Sequence, residues 1–390
     1  MDAYGLTDPE FRRQLAALQV QAHAGSAQLA EVASTARRIR DGDPESWVLE
    51  WLWTAGTAWA EANVVAPTAD DSHTGERHLQ AATYYGAALS QMARSEERGR
   101  LAAVWHRHHN CWERAVDRLE MPGERLEISY DGASLPGYFF AAPDGRGRRR
   151  PLVIMHNGAY GPTSAMRALG GAAAAARGYH WMTFDGPGQQ AALHQRGLFF
   201  RPDWEAVLTP VLDAMVARAD VDPARIAVIG AGQAGYWLPR ALAHEHRLAA
   251  VALEPGVVDV ATAWRDSLPE QLVAMLDGGD HLSFDRALRA ALLFTPGAEA
   301  VLRERAAPYG LAAAPASLMF ATVDKYRLGD EPASVQTPLL VMECGDRSPW
   351  PRQSGALSDR VSNSSLLDAE ELSPDARESH LFGWLEPLLG

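Results

Sequence analysis

From residue 1 to about 120 the apolar positions recur three and four apart, and no alternating stretch interrupts them. That period belongs to helices with one buried face. Residues 8–25, "DPEFRRQLAALQVQAHAG", open on Asp8-Pro9, an N-cap followed by proline in the first turn. The same opening recurs at Asp43-Pro44, where Trp47, Trp51 and Trp59 fall near one helical face. Residues 77–97 and 100–119 repeat the period. The expected unit is a helical domain of about five helices, residues 1–124.

At Arg125 the period shortens to two. "RLEISYDG" and "SLPGYFFAAP" predict a pair of strands joined by a turn. "RPLVIMHNGAYG" is a continuous apolar strand running into a glycine-rich loop, and residues 163–178 and 201–221 read as helices around the strand "YHWMTFDGPG". "RIAVIG" with its following helix and "LAAVALEPG" continue the alternation. Apolar strands alternating with helices predict an α/β architecture, a mostly parallel, doubly wound sheet covered on both faces. Residues 261–334 break the rhythm with a run of helices, and strand–helix alternation resumes over 335–390. The expected organisation is a core in two parts, 125–260 and 335–390, with a helical cap inserted after the sixth strand.

The sharpest local signal is Gly230-Ala231-Gly232-Gln233-Ala234. A strand that turns abruptly into a helix is the shape of a nucleophile elbow, whose pattern is G-x-S-x-G or the same with alanine last. Glycine stands at 232, where that pattern has serine.

An elbow after the fifth strand, a glycine loop after the third and a helical insert after the sixth resemble the α/β-hydrolase fold. "NGAYGPTSAMRALGGAAAAARGYHWMTFDGPGQQ", "FRPDWEAVLTPVLDAM", "QAGYWLPRALAHEHRLAAV", "EPGVVDV" and "PWPRQSGAL" resemble one group within it. That group includes the 2,6-dihydroxypseudooxynicotine hydrolase, the fungal polyketide-shortening hydrolases and the fermentation-respiration switch proteins. Its members carry a helical N-terminal domain, so the resemblance covers nearly the whole chain. It implies a Ser-Asp-His triad and cleavage of C–C or ester bonds next to carbonyls. The serine falls at Gly232 and the acid at Asp346, in "MECGDRSPW". The expected histidine loop after the last strand is absent from "SSLLDAEELSPDARESHLFGWLEPLL", where His380 sits inside the final helix.

Without serine and histidine, covalent acyl transfer has neither nucleophile nor base. The electrostatic half of the site is still expected. The backbone N–H of Gln233 and the loop at His156-Asn157-Gly158 supply oxyanion donors, and Tyr160 in that loop either orients a substrate oxygen or packs. Glu254 ends the sixth strand, at the edge where parallel sheets bind ligands. It is read as a general acid or base, or else as a turn cap or partner of an arginine such as Arg265. His156 is read as a second proton carrier, or as a histidine bonded to backbone. Asp346 either is a relic or binds substrate directly. Cys344 reads as a core thiol and Asp185 as a turn residue. His106 and His109 share a helix face without a third metal ligand at a known spacing. Abundant tryptophan, with Tyr84 and Tyr85, either lines a lid over a ligand or packs helices together.

Composition narrows the partners. A formal net charge of -13 argues against nucleic acid and anionic membranes. No apolar run reaches the roughly 18 residues of a membrane helix. No dinucleotide or P-loop fingerprint appears, so neither a cofactor nor a metal is expected. Two cysteines and no visible secretory signal fit a cytoplasmic protein. The leading expectation is an enzyme of specialised metabolism that acts on a carbonyl-rich, polyketide-like small molecule. Elimination, cyclisation or C–C rearrangement would proceed through an enolate. A C–C or ester hydrolase and a ligand-binding protein without turnover are the alternatives, and a homodimer fits the resemblance.

Overall fold

The computed structural model describes residues 5–64, 71–143, 147–295, 297–345 and 348–390. Five helices come first: α1 (Pro9–His23), α2 (Leu29–Ala36), α3 (Pro44–Val64), α4 (Asp71–Leu89) and α5 (Leu101–Arg118). The Asp-Pro openings work as the sequence implies. Asp8 accepts from the N–H groups of Glu10 and Phe11 at 2.9 and 3.0 Å, and Asp43 from Glu45 and Ser46 at 3.0 and 3.2 Å. Trp47 and Trp51 are fully buried, with Phe11 4.6 Å from the first and Tyr84 5.7 Å from the second. They pack helices together. Trp59 does not join them; it turns outward and is 42% exposed.

The core alternates strands and helices: β1 (Glu124–Tyr130), β2 (Ala133–Phe140), β3 (Arg150–His156), α6 (Ala172–Ala176), β4 (His180–Phe184), α7 (Gln190–His194), α8 (Glu205–Val216), β5 (Val221–Ala231), α9 (Ala234–Leu242) and β6 (Ala250–Glu254). The insert carries α10 (Thr262–Arg265), α11 (Glu270–Asp277), α12 (His281–Leu292), α13 (Ala298–Ala306) and α14 (Ala316–Val323). Then follow β7 (Leu339–Glu343), α15 (Gln353–Ser358), β8 (Ser364–Asp368) and α16 (Pro374–Leu389). The sheet order is β1-β2-β4-β3-β5-β6-β7-β8, antiparallel at β1–β2 and β2–β4 and parallel thereafter. This is the α/β-hydrolase fold.

Alternate residues of the central strands feed two cores. Ile154, Val228 and Leu253 pack with α8, α9 and the insert, while Met155, Ile229, Ala252 and Met342 pack with α16 and the N-terminal helices. The helix expected over 163–178 is broken. A 3₁₀ turn at 163–165 and a wider turn at 167–171 precede the short α6. The kink falls at Gly170, whose φ is 173° and ψ -6°, and methyls on Gly170 and Gly171 would strike Ile229 at 2.9 Å and Trp181 at 2.7 Å, so both positions need glycine. No helix among the described residues is long and apolar enough to cross a membrane.

Candidate functional site

Three glycines make the turn from β5 into α9, for two different reasons. A methyl on Gly230 would lie 2.5 Å from Leu238, and one on Gly235 would lie 2.0 Å from the Pro255 carbonyl oxygen. Those two glycines let helix, strand and loop touch. Gly232 differs. Its φ is +55°, yet a methyl there would meet only the Cα of Gly158, at an ordinary 3.8 Å. Packing does not require glycine at the apex of the elbow. The Gly232 N–H donates to the Glu254 carbonyl at 2.7 Å. The next N–H, that of Gln233, meets no acceptor among the described residues. It stands at the start of a nine-residue helix, where the backbone favours negative charge.

The loop after β3 closes over this turn. A methyl on Gly158 would lie 3.0 Å from the Ala231 carbonyl oxygen and 3.6 Å from the Gln233 nitrogen, so the approach depends on a bare Cα. Asn157 turns its side chain away and donates to the Gly161 carbonyl at 2.6 Å. The Gln189 amide donates to the Asn157 and Gly158 carbonyls at 2.7 and 2.8 Å, and Gln190 donates to Gly161 at 2.7 Å. Both glutamines follow the "FDGPG" turn, and neither stood out in the sequence. Asp185 of that turn is buried and holds the Ala191 N–H at 3.1 Å and the Thr163 hydroxyl at 3.3 Å. Burial pushes its carboxyl up to about 6.

His156 is already bonded at both ring nitrogens. It is fully buried among Phe184, Trp204 and Trp237. The Trp204 indole N–H can only donate, and it reaches Nε2 at 2.7 Å. Nδ1 therefore carries the hydrogen, which it donates to the Asn157 carbonyl at 2.8 Å. Burial holds the imidazole down at about 4. Of the two readings of this residue, the bond to backbone is the one seen.

Glu254 is also committed. Arg377, on the second turn of α16, grips both its carboxylate oxygens, with Nε at 2.9 and 2.8 Å. Glu254 shares its sheet face with Ala250 and Ala252, the face covered by α16. Arg265, the partner considered from sequence, instead binds Asp324 and Asp277. Asp346 lies outside the described residues. His380 is exposed on α16 and bonded to the Ala376 carbonyl at 2.7 Å. The short connection from β8 to α16 brings Glu370 against Gly345, where a methyl would lie 2.2 Å from its carboxyl. Cys344 is buried. His106 and His109 lie against the ring of Trp105.

The cap supplies what sequence reasoning missed. Tyr309, in the turn after α13, donates to the Gln233 side-chain carbonyl at 3.2 Å. Its ring meets Phe200, Trp264 and Tyr326 edge-on at 5.0, 5.8 and 5.1 Å. Phe200 N–H donates to Pro308 at 2.7 Å, and Tyr160 donates to the Arg305 carbonyl at 3.0 Å. Residues 305–309 thus form a strap fastened to the elbow, to the loop after β3 and to the segment before α8. Gln233 is 2% exposed, and its side-chain NH₂ has no partner among the described residues. An aromatic in "AAPYG" carries no local sign of this contact.

Comparison with known proteins agrees with this geometry. The family described as FrsA-like esterase matches residues 8–292. The chain is 32% identical over 277 residues to the Aspergillus aculeatus hydrolase acrC, covering 67% of this chain and 64% of that one. It is 31% identical over 271 residues to the 20-hydroxy-prefusarin hydrolase FUS2 of Gibberella moniliformis, covering 68% and 64%. The matches thus span under two thirds of these relatives' length. Among solved structures, the 2,6-dihydroxy-pseudo-oxynicotine hydrolase superposes over 95% of both chains with a TM-score of 0.73 at 19% identity. Wild-type AbyA5 superposes over 95% of this chain and 98% of its own with a TM-score of 0.60 at 18% identity. Both likenesses bear on the fold alone.

Proposed function

This chain belongs to the FrsA-like esterase family, and from that premise we propose an enzyme that has kept the family's oxyanion site and given up its covalent step. It acts on a carbonyl-bearing small molecule through an enolate or a related oxyanion, in an elimination, cyclisation or C–C rearrangement. The observation that carries this reading is the contrast within the elbow. Gly230 and Gly235 answer to packing, whereas Gly232 has room for a side chain and lacks one. The N–H behind it, on Gln233, remains without an acceptor among the described residues. In support, His156 is bonded at both ring nitrogens and His380 is exposed on the last helix. A relative named for a 20-hydroxy-prefusarin substrate supports a small natural product as the substrate class. The relatives' names favour a second reading, hydrolysis by a directly activated water.

Two measurements test the first reading. An oxyanion site binds 4-nitrophenolate in preference to the neutral phenol, so the bound probe should ionise at lower pH than the free one. Equal affinity for both forms would remove the proposal. Gly232→Ser should fold, at a cost of about 1 kcal/mol for a side chain at positive φ. With 4-nitrophenyl acetate it should show no stoichiometric burst and no acyl adduct by mass spectrometry. A burst with an adduct would establish a working base beside position 232 and favour hydrolysis.

A further inference from the structure

One residue of the elbow carries two donors, and among the described residues neither meets an acceptor. The first is the Gln233 backbone N–H, at the start of the nine-residue α9. The second is the Gln233 side-chain NH₂, which is shut off from solvent. A buried donor without an acceptor is costly, because the water it gave up is not replaced. Trp51 and Trp112 also lack acceptors, but their indoles lie against the rings of Tyr84 and Tyr138 in the packed helical domain. Gln233 instead borders open space. A methyl on Gly232 would meet only the Cα of Gly158 at 3.8 Å, and a methyl on Gly158 would lie 3.6 Å from the Gln233 nitrogen. The room left beside the apex of the elbow and the backbone donor therefore share one wall, the bare Cα of Gly158.

The orientation of the amide follows from its neighbour. Tyr309 reaches the Gln233 side-chain oxygen at 3.2 Å, and its phenol makes no other hydrogen bond among the described residues. Burial holds that phenol well above its ordinary value, so its hydrogen stays in place to be donated. With the amide oxygen toward Tyr309, phenol hydrogen and amide oxygen satisfy each other, and only the NH₂ is left over. With the amide reversed, the NH₂ would serve the phenol oxygen, and the phenol hydrogen and the amide oxygen would both be stranded. Tyr309 is itself held in place. Its ring meets Phe200 and Tyr326 edge-on at 5.0 and 5.1 Å, and the Phe200 N–H donates to the preceding Pro308 carbonyl at 2.7 Å. The strap thus decides which end of the amide is free.

We propose that Gln233 binds the substrate oxyanion with both its donors, the backbone N–H and the side-chain NH₂, and that Tyr309 is the positioning residue that keeps the NH₂ free for it. This inference rests on the oxyanion reading above. Neither donor carries a formal charge, and the arginine near the elbow, Arg377, is taken by Glu254. The ligand that suits such a pair is a conjugated oxyanion, an enolate or a phenolate, whose spread charge costs less to strip of water than a compact one.

The probe is 4-nitrophenolate, read by affinity and by its visible absorption, which moves to shorter wavelength with each donor on its oxygen. Gln233→Met keeps the backbone N–H and much of the side-chain volume and removes the NH₂. It should bind the phenolate roughly tenfold more weakly and shift the bound band to longer wavelength. Some preference for phenolate over neutral phenol should remain, because the backbone donor remains. Tyr309→Phe keeps the ring and releases the amide. It should reproduce part of both effects in the native chain and add nothing in the Gln233→Met background. A structural role alone would lower the melting midpoint without moving the band. A native chain that prefers the phenolate, with band and affinity unchanged in Gln233→Met, overturns this inference alone. Should Gln233→Met not fold, an unmoved band in Tyr309→Phe counts against the proposal in its place. A Tyr309→Phe effect that persists undiminished in the double variant removes the positioning role. Absence of any preference for the phenolate in the native chain overturns the reading beneath it.

Discussion

Alanine at position 235 is expected to leave the elbow unable to close. The added methyl would sit 2.0 Å from the carbonyl oxygen of Pro255 and 3.1 Å from Val257. The first of these is backbone, so no rotamer relieves it. The same glycine's carbonyl accepts the Val257 N–H at 3.1 Å, tying the start of α9 to the loop after β6. Moving α9 outward would break that bond and loosen Leu238 and Leu242, which have no exposed surface. Overpacking at a backbone contact costs about 3 kcal/mol or more. Gly235→Ala should shift the urea midpoint well below that of the native chain, or fail to yield soluble protein. Gly232→Ala is the matched comparison: its methyl meets only the Cα of Gly158 at 3.8 Å, so it carries the conformational cost alone. Equal midpoints for the two variants would contradict the packing described for the elbow.

Removing Arg377 is expected to be nearly as costly. Its guanidinium spans both oxygens of Glu254 and also donates to the Leu169 carbonyl at 3.3 Å. It joins the final helix to the end of β6 and to the turn before α6. Arg377→Met keeps much of the side-chain volume and strands the carboxylate against the sheet. Breaking a largely buried pair from one side costs about 3 kcal/mol. The double change Glu254→Leu with Arg377→Met should recover part of that loss, because it removes the unpaired charge as well. An Arg377→Met midpoint equal to the native value would mean that water serves Glu254 as well as the arginine does. The same variants bear on chemistry: the guanidinium already occupies a lone pair on each oxygen of Glu254.

Much of the architecture could be read along the chain. The two Asp-Pro openings, the switch of period at Arg125 and the apolar runs of β3, β5 and β6 are local signals of helix starts and doubly covered strands. The structure matches them residue for residue at Asp8 and Asp43. The elbow was legible because its pattern is short and its geometry strict. The helix expected over 163–178 was not legible as broken. Nothing in a run of alanines and glycines reveals that Trp181 and Ile229 press on Gly170 and Gly171. Trp59 falls near the helical face of Trp47 and Trp51 and yet points outward, because no helix among the described residues covers it.

The candidate site divides along the same line. The residue types at the elbow, the glycine where a serine is expected and the helical end of the chain that holds His380 are properties of the sequence alone, since each needs only neighbours within a few positions. Which charged groups remain free was decided by the fold. Glu254 meets an arginine 123 positions away, and Gln233 meets a tyrosine 76 positions away. His156 meets a tryptophan 48 positions away. A side chain's readiness to move a proton depends on the partners and water around it, and tertiary packing sets both. Periodicity and spacing determine where the backbone turns; only the folded chain determines which of its acids and bases are already in use.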